Sequence, residues 1–224
     1  MSNKPWLAHY DKGVPQTIEY PKAPLFHFLD DAARKYPDHA CTIFKGAVIS
    51  YREMNALTDH MAAALVELGA KKGDRVGIFM PNTPQFVIAY FGILKAGGVV
   101  VAVNPTYPPD EVITPVNDAN IEIMFTLTRF YDRLKKVREK SKLKQIIVSN
   151  LKETLPPVLR LLFTLVREKK EGDRVAELAE GDLWMQELLA KHANSTRPNI
   201  DLAPDDTALF QYSGGTTGVP KGAA

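Results

Sequence analysis

Short, unbroken apolar runs separated by stretches of helical periodicity constrain this chain more than any other feature. Residues 76–80, 99–103, 121–126, 145–149 and 208–212 are compact runs of Val, Ile, Phe, Met and Leu. They lack the apolar–polar alternation of a half-exposed strand. Continuous apolar strands spaced by helices predict a parallel sheet buried on both faces, an α/β fold with helices flanking a mostly parallel sheet. The intervening helices carry their own punctuation. Ser50 and Glu53 fit a capping box, with Ile49 and Met54 placed as the hydrophobic staple. Met54, Leu57, Met61, Leu65 and Leu68 then share one helical face, and Gly69 suits the left-handed stop. Thr83-Pro84 is a cap followed by Pro at the first helical position, with Phe86, Ala89, Tyr90 and Ile93 as the expected buried stripe and Gly97 as the end. Ahead of this alternation, residues 42–44 and 47–49 flank Lys45-Gly46 as a small hairpin, and Leu25, Phe28, Leu29, Ala32 and Tyr36 recur at helical spacing. Residues 1–24, rich in Pro, Lys and Gly, read as an extended arm.

Composition excludes several classes. With 224 residues, 45% hydrophobic and 24% charged, the chain can bury a sizeable core. A net charge of +2 without a basic tail argues against nucleic acid as partner. The single Cys41 excludes a disulfide framework and reads as a small apolar filler. His9, His27, His39, His60 and His192 show no metal-ligand spacing, and Asp205-Asp206 read as turn residues. Met1 to Tyr10 holds no apolar stretch of a signal peptide, so the expected setting is cytoplasmic.

Two segments depart from the pattern. Residues 129–144 hold eight Lys or Arg against Asp132 and Glu139, and read as a solvated helix face. Residues 155–170 place Leu155, Val158, Leu159, Leu162, Leu165 and Val166 on one helical face, with Arg160, Thr164 and Arg167 opposite and Lys169-Lys170 following. Most amphipathic helices are core elements, so the first expectation is packing on the chain's own domain or a neighbour. The second is a helix lying in a membrane interface, since the apolar run is too short to cross a bilayer.

The chemistry concentrates in one loop, Tyr212-Ser213-Gly214-Gly215-Thr216-Thr217-Gly218-Val219-Pro220-Lys221-Gly222, directly after the last apolar run. Glycines let backbone N–H groups converge on one anion, hydroxyls add donors, and Lys221 adds a mobile positive charge suited to phosphate. The loop lacks the Gly-Lys-Ser/Thr of a Walker A loop and the G-x-G-x-x-G of a dinucleotide fingerprint, which leaves little room for a dehydrogenase domain.

Segment 211–223 resembles the phosphate-binding signature of the AMP-forming acyl-CoA synthetases, the adenylate-forming superfamily. Ser213 stands where the family's usual form has Thr, and Gly214 where it has Ser. The Gly-Gly-Thr-Thr-Gly form is similar to the bacterial long-chain fatty-acid:CoA ligase branch. Ser50-Tyr51-Arg52-Glu53-Met54-Asn55, Lys72-Gly73-Asp74-Arg75-Val76, Met80-Pro81-Asn82, Leu94-Lys95-Ala96-Gly97-Gly98 and Asn104-Pro105 fall in the family's order. The resemblance implies that residues 25–224 are the first, incomplete part of a large N-terminal AMP-binding domain, ending in the phosphate-binding loop. It implies a two-step activity: ATP and a carboxylate give acyl-AMP and pyrophosphate, and coenzyme A then takes the acyl group. Residues 213–218, with the Thr216 and Thr217 hydroxyls, would hold the β- and γ-phosphates, Lys221 would supply counter-charge, and Ser213 would stand near Mg²⁺. No catalytic residue is assigned within this chain, because the family's adenine, acyl and catalytic-lysine elements come later. The chain alone is therefore expected to be inactive as a ligase. An aryl-CoA ligase, an amino-acid-adenylating enzyme and a non-catalytic nucleotide-binding fragment stay open as alternatives.

Overall fold

The computed structural model describes residues 4–213 and 221–223. After a 3₁₀ turn at Pro5–His9, the chain forms α1 (His27–Lys35) and an antiparallel hairpin, β1 (Ala40–Phe44) and β2 (Ala47–Ser50). Lys45 and Gly46 make the turn, both with positive φ, as a tight hairpin loop requires. Helix α2 (Tyr51–Glu67) starts on the predicted capping box, in which the Ser50 hydroxyl accepts from the Glu53 N–H and Glu53 accepts from the Ser50 N–H. Gly69 ends the helix at φ 93°.

The alternation then proceeds as β3 (Arg75–Phe79), α3 (Pro84–Lys95), β4 (Val99–Ala102), α4 (Pro109–Asp118), β5 (Ile123–Leu127), α5 (Thr128–Arg138) and β6 (Gln145–Ser149). Next come α6 (Pro157–Leu162), a π-helical turn (Phe163–Arg167), β7 (Leu183–Trp184), α7 (Met185–Lys191), β8 (Leu209–Ser213) and β9 (Lys221–Ala223). Seven strands form one sheet in the order β7-β6-β5-β3-β4-β8-β9, parallel except for β9.

Sheet residues alternate between two cores, as the period of two demands. Val76, Ile78, Val100, Phe125 and Ile147 join α2, α3 and α7 on one face. Phe79, Val101, Val103, Met124, Ile146 and Val148 join α4 and α5 on the other. Burial on both faces is the reason these strands read as unbroken apolar runs.

Beyond β7 and α7, which the sequence reading did not include, four elements differ from it. The predicted stripe of α3 is too narrow: Ile88, Ala89, Gly92, Ile93, Leu94 and Lys95 are all buried, while Phe86 and Tyr90 are half-buried. The helix lies between the sheet and α2, so it is covered nearly all round. Helix α5 is not a simple solvated face. Arg129 bonds to Asp173 at 3.0 Å and Arg138 to Asp182 at 2.7 Å, and both carboxylates are buried. The 155–170 segment does not pack its apolar face on the described part of the chain: Val158, Leu161, Leu162, Leu165 and Val166 are exposed, and Phe163 is the side chain that turns inward. Finally, β9 has no counterpart in the sequence reading, because Lys-Gly-Ala carries no strand pattern.

Candidate functional site

The chain runs from β3 to β4 in one direction across the sheet and from β5 through β6 to β7 in the other. The connections after β3 and β5 therefore leave on opposite faces. Ligands of open α/β sheets bind outside the carboxyl ends of strands near such a reversal. Three of the segments singled out in the sequence arrive at this edge: Met80-Pro81-Asn82 after β3, Asn104-Pro105 after β4, and the Gly-rich loop after β8. The register Val100↔Leu209, Val101↔Phe210, Ala102↔Gln211 sets the ends of β4 and β8 side by side.

The turn after β4 is held locally. Asn104 Oδ1 accepts from the Thr106 N–H at 3.0 Å and from its hydroxyl at 2.8 Å. Arg133, from the first half of α5, donates to the Pro105 carbonyl at 3.0 Å and lies over the Phe130 ring. A cation is thus brought to this edge from a helix counted in the sequence merely as a basic surface.

At the Gly-rich segment, β8 and β9 pair antiparallel, with Gln211↔Ala223, Tyr212↔Gly222 and Ser213↔Lys221 opposite each other. The backbones of Ser213 and Lys221, eight positions apart, thereby face one another across the base of the segment. Gly214, Gly215, Thr216, Thr217, Gly218, Val219 and Pro220 lie outside the described residues. Tyr212 is buried on the α4–α5 face and donates to Asp118 Oδ2 at 2.5 Å. Burial, and then the Asp118 carboxylate, push its phenol well above the ordinary tyrosine value. A Cβ on Gly222 would lie 3.0 Å from Tyr212 Cζ and 3.3 Å from both Cε atoms, so the ring rests against the Gly222 backbone.

Asp118 is the residue that sequence reasoning missed. It stands 94 positions before Tyr212, and no spacing rule connects them. Its position was nonetheless a signal: a carboxylate in the last position of a helix opposes the macrodipole.

Cavity size alone points elsewhere. A groove of about 880 Å³ opens at the amino ends of β3 and β4, between Tyr20–Leu25, Phe28 of α1 and Arg75, Gly97, Val99 and Asp205. The Gly-rich segment and its paired backbones lie at the opposite ends of these strands. Among the described residues no group of three or more His, Cys, Asp or Glu comes together to hold a metal ion. Cys41 is half-buried, and burial pushes its thiol up, as befits an unreactive filler.

Residues 29–224 match the family model described as AMP-binding enzyme. The chain is 36% identical over 226 residues to a long-chain-fatty-acid–CoA ligase of Bacillus subtilis (strain 168), covering 99% of this chain and 40% of the relative. It is 32% identical over 222 residues to a ligase of the same description from Yersinia pestis, covering 98% and 40%. Among solved structures, the apo structure of Mycobacterium smegmatis MbtA matches with TM-score 0.70 at 26% identity, covering 91% of this chain and 33% of that one. A long-chain-fatty-acid-CoA ligase from Archaeoglobus fulgidus matches with TM-score 0.67 at 22% identity, covering 95% and 38%, a likeness of fold. The chain thus spans about 40% of the length of the curated relatives it matches.

Proposed function

Because this chain belongs to the AMP-binding enzyme family, we propose that it is the nucleotide-handling N-terminal part of a long-chain fatty-acid:CoA ligase. Residues 1–24 are its arm, and residues 25–224 are the first part of its AMP-binding domain. The whole enzyme activates a fatty acid with ATP to acyl-AMP, releasing pyrophosphate, and passes the acyl group to coenzyme A. The observation that carries this reading is the Gly-rich segment strapped at its base by the Ser213↔Lys221 pair, at the carboxyl edge of a parallel sheet. There Tyr212 to Gly222 form the phosphate-binding segment, with backbone N–H groups and the Thr216 and Thr217 hydroxyls as donors and Lys221 as counter-charge.

Mg²⁺, when bound, draws charge from the phosphate oxygens. Magnesium is commonly held through substrate phosphates and one or two protein groups rather than a full protein cage. Within this chain Ser213 would stand beside that ion.

The test is acid-dependent exchange of labelled pyrophosphate into ATP by the protein at its natural length. Exchange with long-chain fatty acids is expected. Exchange with aryl or amino acids instead moves the chain to another branch, and no exchange with any acid overturns the reading.

The lipid branch gains support from α6 and the π turn. They present Val158, Leu161, Leu162, Leu165 and Val166 to solvent, and an apolar groove of about 500 Å³ separates them from the hairpin turn at Lys45. Arg160, Arg167, Lys169 and Lys170 accompany the apolar side chains, and no helix among the described residues is long and apolar enough to cross a membrane. An exposed apolar face among cations suits the interface of an anionic bilayer. We therefore place the enzyme in the cytoplasm, touching the inner face of a membrane through residues 155–170. Co-sedimentation with phosphatidylglycerol-containing vesicles should fall about tenfold or more in a Leu161→Asp, Leu165→Asp variant. Equal binding by both proteins removes the membrane contact.

A further inference from the structure

Among the described residues, three backbone pairs join β9 to β8, and a side chain laid across two paired strands adds to such pairing. Tyr212 supplies that side chain. Its ring lies against Gly222, the residue opposite it on β9, close enough that a Cβ there would push the ring aside by a few tenths of an ångström. Its hydroxyl continues to Asp118 on α4 at 2.5 Å, within the range of a charge-assisted O–H···O⁻ bond. One side chain therefore ties together β8, β9 and α4, one residue before the Ser213↔Lys221 pair.

The placement of Asp118 has no other explanation in the helix. It occupies the last position of α4, where the macrodipole favours a cation. The usual C-terminal partner is present separately, because Arg75 donates to the Ala119 carbonyl at 2.8 Å. The Tyr212 hydroxyl donates to Asp118 across the α4–β8 packing.

We propose that Asp118, acting through the Tyr212 phenol, is a positioning residue that holds the base of the Gly-rich segment against the sheet. The consequence for ATP rests on the phosphate-binding reading above. Asp118 touches no phosphate. It fixes the β8–β9 backbone pair at the base of the segment.

Two measurements on the protein at its natural length test this, in Asp118→Ala, Asp118→Asn, Tyr212→Phe and the Asp118→Ala/Tyr212→Phe double variant. Without nucleotide, amide hydrogen exchange in residues 209–213 and 221–223 should quicken about tenfold in Asp118→Ala and Tyr212→Phe, less in Asp118→Asn, which keeps a neutral acceptor. Exchange in the β3–β4 pair should stay unchanged. The Kd for ATP·Mg²⁺ should rise about tenfold in each single Ala or Phe variant, and no further in the double, because both substitutions delete one bond. The KM for ATP should rise while that for the carboxylate does not. Unchanged exchange at β8–β9, quickening spread over the whole sheet, or additive losses in the double variant overturns the positioning role. Quickened exchange at β8–β9 in these variants, when the wild type itself binds no ATP·Mg²⁺, upholds the staple and overturns the phosphate-binding reading instead.

Discussion

Gly92 sits in the middle of α3, facing α2, and its replacement by alanine gives a sharp test of the packing that carries the sheet. In an exposed helix this change would stabilise by about 0.5–1 kcal/mol, since glycine loses more backbone freedom on folding. Here a Cβ would lie 2.7 Å from Met61 Cγ and 2.8 Å from Met61 Cβ. Carbon atoms in good contact stand about 3.5–4.0 Å apart. The Met61 Cβ is fixed to the α2 backbone, so the side chain cannot swing away, and the helices must separate by roughly 0.8 Å to reach that contact distance. Overpacking of this kind costs about 1–3 kcal/mol. Set against the propensity gain, the net loss is about 1–2 kcal/mol. Urea unfolding followed by circular dichroism should show it as a lower midpoint with an unchanged slope. In a Met61→Gly background both the Cγ and the Cβ contacts are gone, and the same Gly92→Ala change should then stabilise by about 0.5–1 kcal/mol. A neutral or stabilising Gly92→Ala in the wild-type background would refute the close approach of α2 and α3. So would an equal loss in both backgrounds.

Other outcomes follow from buried polar groups. Lys95 Nζ is enclosed by Asn55 Oδ1 at 2.7 Å, Asp59 at 2.7 Å and Asp30 at 3.2 Å. Lys95→Met should lower stability by about 1–3 kcal/mol in urea unfolding, since Asp59 loses its close cation and Asp30 keeps only Arg197 at 2.6 Å. An unaltered midpoint would contradict that. For Tyr212, the raised phenol pKa fixes the sign of an alkaline dependence. Its stabilisation is fully present below the unfolded value of about 10 and is lost as pH rises through the raised folded value. The stability difference between wild type and Tyr212→Phe should be constant from pH 7 to about 10 and shrink above. A difference that grows above pH 10 would be the wrong sign. For Glu53, the hydrogen bond from the Ser50 N–H holds the carboxyl below its usual range. Glu53→Gln should destabilise above its unfolded value of about 4.3 and lose that effect as pH falls further; a loss that persists in acid would contradict the capping box.

The layers of the fold were legible because burial on both faces makes each strand an apolar run, and because the caps of α2 and α3 are local chemistry. The capping box at Ser50, the Thr83-Pro84 start and the Gly69 stop involve neighbours within four residues. What required the structure was non-local. The two residues of β7 and the three of β9 are strands through their partners, with no pattern of their own. The buried carboxylates that claim Arg129 and Arg138 lie 44 residues away from each. Of the face read at 155–170, Val158, Leu159, Leu162, Leu165 and Val166 are exposed, as is Leu161, which the period did not place there; periodicity says which side chains share a face and not what covers it. The residue types of 212–222 suggest a phosphate cradle, the proposal that the titration below tests. The antiparallel strap of that segment and the Tyr212–Asp118 bond were not legible, since they join residues through the sheet order.

The central claim is that the segment between β8 and β9 binds the phosphates of ATP. Calorimetric titration of the protein at its natural length with ATP·Mg²⁺ tests it most directly, in wild type, Lys221→Ala and Thr217→Val. Saturable binding by the wild type, weakened at least tenfold in Lys221→Ala and measurably in Thr217→Val with the fold intact, is the predicted result. Equal affinity in all three proteins would contradict it.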